Sequence, residues 1–212
     1  MTAPAMARLV CVADDYTGAT DVASALHKAG LRVALRFGAT GPDAVPDADA
    51  VVAARRLRAV PPAAAVADAL DAARWLGAGP LFHKICSTFD STGAGNIGPV
   101  TDALLDLRRA PIAVVCPAAP AHGRTVYMGH LFVGDRLLSE SGMRDHPLTP
   151  MRDPDLVRVL GRQTPHPVGA VRHGTVRAGS DAVVARLAEL TRAGVRYAVA
   201  DAIDDADLDH LA

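Results

Sequence analysis

Short apolar runs alternate along the chain with segments whose apolar positions return at helical spacing. The runs Leu9–Ala13, Arg32–Phe37, Ala50–Ala54, Leu81–Cys86, Ile112–Cys116, Val168–Arg172 and Tyr197–Ala200 read as strands. Ala19–Ala29, Pro62–Leu76, Pro99–Arg109, Pro154–Gly161 and Asp181–Ala193 read as helices. Val22, Ala25, Leu26 and Ala29 share one helical face with Gly30 as a stop, while Pro62 and Pro99 stand where a first helical turn tolerates a missing donor. Such alternation is the α/β pattern, and it predicts a mostly parallel, Rossmann-like sheet flanked by helices and joined by right-handed crossovers. Between Pro117 and Pro150 it gives way to Arg124–Met128, Leu131–Val133, a Gly134-Asp135 turn and Arg136–Leu138, which predicts a β-hairpin insertion around residues 120–150.

With 212 residues, half of them hydrophobic, and a formal net charge of -1, the chain fits one large domain or two small ones with a real core. The balanced charge provides no broad basic surface, so neither nucleic acid nor an anionic membrane is an expected partner. Arg8 is followed only by Leu9–Ala13 before Asp14, too short for a signal-peptide core, and no apolar run approaches the ~18 residues of a membrane span. The expected location is the cytoplasm. Cys11, Cys86 and Cys116 are odd in number, widely spaced and set among apolar residues, which predicts buried free thiols and no disulfide framework.

The chemistry concentrates where apolar runs end. Cys11-Val12-Ala13 stops abruptly at Asp14-Asp15 and turns through Gly18 into a helical pattern, placing two carboxylates at a strand's carboxyl end, the edge where open α/β sheets bind ligands. Ionised carboxylates only accept hydrogen bonds and so suit a ligand rich in hydroxyls; the alternative is an Asp N-cap beside a solvated Asp. Phe82 through Gly98 repeats the logic: Ser87, Thr88, Ser91, Thr92 and Asn96 can bond ligand oxygens, and glycines let backbone approach closely ahead of a helix start. Lys84 offers a compact cation for a carboxylate or phosphate, or lies exposed on the opposite face. The insertion gathers His122, Arg124, Tyr127, His130, Asp135, Glu140, Arg144, Asp145 and His146, without a metal-ligand spacing, so no metal is expected. Gly93-Ala94-Gly95-Asn96-Ile97-Gly98 matches the dinucleotide pattern GxGxxG, but its first glycine does not follow the strand directly, and no ribose-binding acid ends the next strand. Neither a phosphate loop of the GxxxxGK[ST] type nor a GxSxG elbow occurs.

Three sets of motifs, in order along essentially the whole chain, resemble the four-carbon acid sugar kinases, with the nearest likeness in the 3-oxo-tetronate kinase branch. They are Ala13–Asp21, the Lys84–Gly98 loop, and Gly123–Phe132 with Leu138–Met143 and His146–Met151. The resemblance implies an N-terminal α/β domain that binds the sugar acid and a C-terminal domain that binds ATP with Mg. It assigns residues 1–212 to the first, with the C-terminal nucleotide-binding domain absent and kinase chemistry dependent on a nucleotide-binding domain or chain in trans. Carried over by position, it puts Asp14 and Asp15 on substrate hydroxyls, one of them assisting deprotonation of the attacking oxygen. Arg58 and Lys84 would hold the carboxylate, Ser87, Asp90, Ser91 and Asn96 would complete a cradle, and Arg124 and His146 would come from the insertion. Arg56-Leu57-Arg58-Ala59 departs from the family's Lys-Ser-Arg-Thr by two missing hydroxyls. Two other readings are a sugar-acid-binding module without catalysis and a dinucleotide-dependent oxidoreductase. A homo-oligomer is compatible with the first reading, since a missing domain would leave an interface uncovered.

Overall fold

Leu9–Ala13 and Ala50–Ala54 are continuous apolar runs, the pattern of strands covered on both faces. The computed structural model, which describes residues 9–38, 41 and 44–212, makes them β1 and β3 of a four-stranded sheet. Arg8 lies outside the described residues. The order is β2 (Val33–Phe37), β3, β1, β4 (Leu81–Lys84), all parallel, with Ala13 opposite both Ala54 and Lys84. This register brings the residues after Ala13, Ala54 and Lys84 to one carboxyl edge. The sheet and its helices, α1 (Tyr16–Lys28) and α2 (Pro62–Leu76), form a compact unit spanning residues 1–86.

α1 starts three residues earlier than its apolar period suggests because Asp15 caps it, accepting from the Gly18 N–H at 2.7 Å. Ala19, Val22, Ala23 and Leu26 pack toward Cys11, Ala13, Val52 and Ala54, whereas Ala25 and Ala29 are exposed. Gly30 ends the helix at φ +89°, a backbone conformation that only glycine adopts without strain.

Residues 87–212 form a second compact unit. Its elements are α3 (Ile97–Arg108), β5 (Ala113–Val115), β6 (Arg124–Tyr127), β7 (His130–Val133), β8 (Arg136–Leu137), α4 (Leu156–Gly161), β9 (Val168–Val171), α5 (His173–Arg177), α6 (Ser180–Arg192), β10 (Tyr197–Ala200) and α7 (Asp205–Leu211). β10, fully buried, is the centre of a three-stranded parallel sheet ordered β5, β10, β9. The α/β expectation holds, but the parallel strands divide between two sheets, because apolar alternation marks strands without fixing which edges pair. The insertion is a three-stranded antiparallel meander, β6–β7–β8, a strand longer than a simple hairpin. α5 is too short to show a period and was not anticipated.

The Tyr127-Met128-Gly129-His130 turn takes positive φ at Met128 (51°) and Gly129 (79°), the geometry of a tight two-residue hairpin. Its two central N–H groups donate to Asp201 at 2.9 and 2.8 Å, and the His173 N–H donates to the same carboxylate at 2.9 Å. Asp201 is fully buried just past β10, so one side chain ties the meander, β10 and the start of α5 together. Among the described residues no helix is long and apolar enough to cross a membrane.

All three cysteines are free, but only Cys11 is fully buried; Cys86 and Cys116 are half-buried, since each stands at or beyond a strand end and not within it. Burial pushes the Cys11 thiol up to about 12 and the Cys116 thiol up to about 11. Both should stay unmodified by a thiolate-selective reagent at pH 8 until the chain is unfolded, a difference that mass spectrometry of labelled peptides reads directly. Asp201→Ala leaves three donors unpaired, one buried and two part-buried; at about 1 kcal/mol for each, and about 2–4 °C of melting temperature per kcal/mol for a chain this size, differential scanning calorimetry should show a fall of about 6–12 °C.

Candidate functional site

At the carboxyl edge of the first unit's sheet, backbone bonds continue past the strand ends. Asp14 N–H donates to the Lys84 carbonyl (3.0 Å), while Leu57 N–H donates to the Asp14 carbonyl (2.9 Å). Asp14 is thereby fastened to both neighbouring strands, and its side chain meets Arg58 from the loop after β3. The guanidinium fork is bidentate: Nε to Oδ2 at 2.9 Å and a terminal nitrogen to Oδ1 at 2.8 Å, with the same nitrogen 3.1 Å from Asp15 Oδ1. Burial works against the Arg58 charge, but the hydrogen bonds and charge of Asp14 outweigh it and drive its pKa above the usual arginine value. Asp14 is nearly covered, with 6% of its side chain exposed against 28% for Asp15, so Asp15 is the carboxylate more open to a ligand.

Lys84 completes the cluster. Its Nζ donates to the Ile85 carbonyl at 2.7 Å and lies 3.2 Å from the point a Cβ on Gly18 would occupy; Asp15 Oδ1 lies 2.7 Å from that point. Gly18 is therefore the residue that lets a cap carboxylate and an ammonium converge over the first turn of α1. The first unit thus brings together Asp14, Asp15, Arg58 and Lys84; Asp15 is the N-cap of α1, while Asp14 beside it is buried and not a solvated Asp. Of the departing segment, Leu57 is buried, and Arg56 is exposed with its guanidinium 4.8 Å from the Tyr16 ring centre. Tyr16 in turn meets Phe37 edge-on at 5.2 Å.

In the second unit, the loop before α3 is held in an unusual path. Phe89 and Asp90 both have positive φ, 62° and 42°, and Phe89 is completely buried. Left-handed backbone at non-glycine residues costs about 1–3 kcal/mol each and persists only where the surroundings impose it. Here the buried ring is one anchor and the Asp90 carboxylate is the other: it accepts from the Thr149 hydroxyl, and His146 Nδ1 stands 3.8 Å away. His146 Nδ1 lies 3.2 Å from the Thr149 backbone nitrogen and 2.9 Å from the Thr149 hydroxyl. Asp90 and His146 are thus brought together through Thr149, which the sequence did not single out.

The remaining expected residues are distributed differently. Ser91 and Asn96 are buried, and Ser87 is half-buried. Asn96 stands at the N-cap of α3 without capping it. Arg124 turns back on its own chain to donate to the His122 carbonyl, and among the described residues no bond links it to Asp90, His146 or the 87–98 loop. The GxGxxG match has its own cause. A Cβ on Gly93, Gly95 or Gly98 would run into Arg162, Ser91 or Gln163, so these glycines make room for the chain's own side chains. Gln163 and Thr149 are the polar residues that sequence reasoning missed; both act across long separations with no local motif.

Among the described residues, no group of three or more His, Cys, Asp or Glu side chains stands together to hold a metal ion. The glycines at positions 93, 95 and 98 do not offer the open cradle that a nucleotide's phosphates would need, because the chain's own side chains cover them.

The chain is similar to proteins of known sequence and structure. A 3-oxo-tetronate kinase of Burkholderia multivorans is 54% identical over 212 residues, covering 98% of this chain and 50% of that protein. A 3-oxo-tetronate kinase of Cupriavidus necator is 50% identical over 217 residues, with 98% and 50% covered. The chain spans about half the length of these curated relatives. The crystal structure of a Haemophilus influenzae protein superposes with a TM-score of 0.92 at 44% identity, over 95% of this chain and 50% of that one. A Bordetella bronchiseptica protein, crystallised with bound citrate as a domain-swapped dimer, superposes with a TM-score of 0.75 at 29% identity, over 96% and 49%. Residues 9–212 match the model of the sugar-binding N-terminal domain, and the chain belongs to that family.

Proposed function

We propose that this chain is the sugar-acid-binding half of an ATP-dependent kinase acting on a four-carbon sugar acid such as 3-oxo-tetronate. The observation that carries this reading is the cluster of Asp14, Asp15, Arg58 and Lys84 at a parallel sheet's carboxyl edge, in a chain about half identical to proteins named 3-oxo-tetronate kinase. Ligand hydroxyls donate to the two carboxylates. Arg58 fixes the orientation of Asp14 through both of its oxygens, and Lys84 supplies positive charge for the ligand's carboxylate. Asp14 is held at both oxygens by the guanidinium and is nearly covered, which leaves the more exposed Asp15 as the group to assist deprotonation of the attacking hydroxyl. In the second unit, the reading gives Ser87, Asp90, Ser91, Asn96 and His146 the same class of ligand. Arg124, bonded to its own strand's approach, is the weakest member of the set.

Phosphoryl transfer depends mainly on positioning and charge neutralisation, and this chain's share is to bind and orient the acceptor. ATP and Mg are assigned to a domain or chain outside these 212 residues, in keeping with relatives twice as long. Citrate and domain swapping in the Bordetella bronchiseptica structure support a carboxylate ligand and self-association for this chain as well.

Calorimetric titration of the 212-residue chain with threonate, erythronate and 3-oxo-tetronate, and separately with Mg-ATP and NAD, tests the reading. A sugar acid should bind and the nucleotides should not; nucleotide binding without sugar-acid binding would refute it. Asp15→Asn and Lys84→Ala should each weaken sugar-acid binding by at least ~1 kcal/mol, about fivefold, while far-UV circular dichroism stays unchanged.

A further inference from the structure

Gln163 follows α4, is 8% exposed, and uses every hydrogen-bonding group of its side-chain amide. Nε2 donates to Ser91 Oγ at 3.0 Å and to the Thr92 carbonyl at 2.6 Å; Oε1 accepts from the Gly98 N–H at 2.9 Å. A primary amide has two N–H donors and one carbonyl, so this set of partners admits only one orientation of the group. Gly98 is the second residue of α3, and its N–H is among those a helix start leaves unpaired. With Asn96 not capping, the cap comes from a side chain 65 residues away.

The packing is as specific as the bonding. A Cβ on Gly98 would lie 2.6 Å from Gln163 Cβ and 2.7 Å from its carbonyl oxygen, and one on Gly93 would lie 3.0 Å from Cδ of the preceding residue, Arg162. Gly95 lies directly against Ser91, the residue that Gln163 holds. Two of the three glycines therefore receive Arg162 and Gln163, and the third receives the hydroxyl that Gln163 orients. Since Ser91 Oγ accepts from Gln163, its own proton is directed to some other acceptor.

We infer that Gln163 is a positioning residue of the 87–98 loop, setting the Ser91 hydroxyl and the start of α3 for an oxyanionic ligand. The inference rests on the reading of that loop as part of sugar-acid recognition. Its chemical content lies in the neutrality of the amide. Gln163 satisfies the Gly98 N–H without placing negative charge at the start of α3, where such a charge would repel an anionic ligand. Gln163→Glu keeps the size and the acceptor for Gly98 but replaces the two donors to Ser91 and Thr92 with a buried carboxylate, so it loses stability as well as neutrality. Gln163→Met keeps the volume and removes all three bonds.

The test measures melting temperature and threonate affinity for the 212-residue chain and its Gln163→Glu, Gln163→Met and Ser91→Ala variants. Ser91→Ala should melt within about 4 °C of the parent while its affinity, like that of the less stable Gln163→Glu, falls at least tenfold. Ser91→Ala combined with Gln163→Glu should lose little more than Gln163→Glu alone, because the two act through one contact. If Gln163→Met does not fold, Gln163→Glu and Ser91→Ala still decide. A parent chain that binds threonate, with variants that bind as well as it does, would overturn the inference and leave the proposed function standing. Affinity that falls only in step with melting temperature across the variants would mean ordinary packing and would also overturn it. A parent chain that binds no four-carbon acid would overturn both.

Discussion

Backbone N–H groups left without partners where strands end and helices begin are the constraint that shapes both units. A buried donor without an acceptor costs about 1–3 kcal/mol, a large fraction of any domain's stability. In this chain side-chain oxygens meet the demand: Asp15 for α1, Asp155 for α4, Asp204 for α7, Gln163 for α3, and Asp201 for the hairpin turn and α5 together. The same requirement builds the candidate site. Asp15 is where it is because α1 needs a cap, and once there it stands beside Asp14 within reach of Arg58. One carboxylate thus serves as the cap of α1 and as a member of the charged cluster.

Most of the fold was legible because its signals are local. β1, β3, α2 and β10 fall on the residues their periodicity indicates, since continuous apolar runs and a proline at a first helical turn carry their meaning within a few positions. What was not legible depends on distant partners. The division into two parallel sheets is decided by which strand edges pair, and nothing in Ala113–Val115 announces that Tyr197–Ala200 is its neighbour. α5 is a five-residue turn of helix whose first N–H goes to Asp201, 28 residues ahead, and no window of sequence contains both.

The site divides along the same line. Asp14, Asp15 and Lys84 were legible because each ends or follows an apolar run, so its place at the sheet's edge follows from the strand. That Arg58 would close a bidentate fork on Asp14 was not, and it changes the chemistry expected of both. An arginine already satisfied by an internal carboxylate cannot offer the same fork to a ligand without releasing that carboxylate. In the proposed function it acts instead through Asp14, as a fixed fork that orients both oxygens of that carboxylate. Thr149 was invisible for the same reason as Gln163: a single hydroxyl or amide in an irregular segment carries no pattern, and its importance appears only when the chain brings it to Asp90.

Glycine spacing shows how a correct observation can carry the wrong cause. Glycines at positions 93, 95 and 98 report that something approaches the backbone too closely for a Cβ, and in a dinucleotide fold that something is a pyrophosphate. The pattern itself does not distinguish a ligand from the protein's own side chains. Position relative to the strand does: a fingerprint glycine must follow the strand directly for the helix N-terminus to reach the phosphates, whereas Gly93 comes nine residues after Lys84, the last residue of β4. The intervening residues carry the loop through the left-handed turn at Phe89-Asp90, after which Arg162, Ser91 and Gln163 take up the space that the glycines leave. The glycines are thus a socket that fixes a loop.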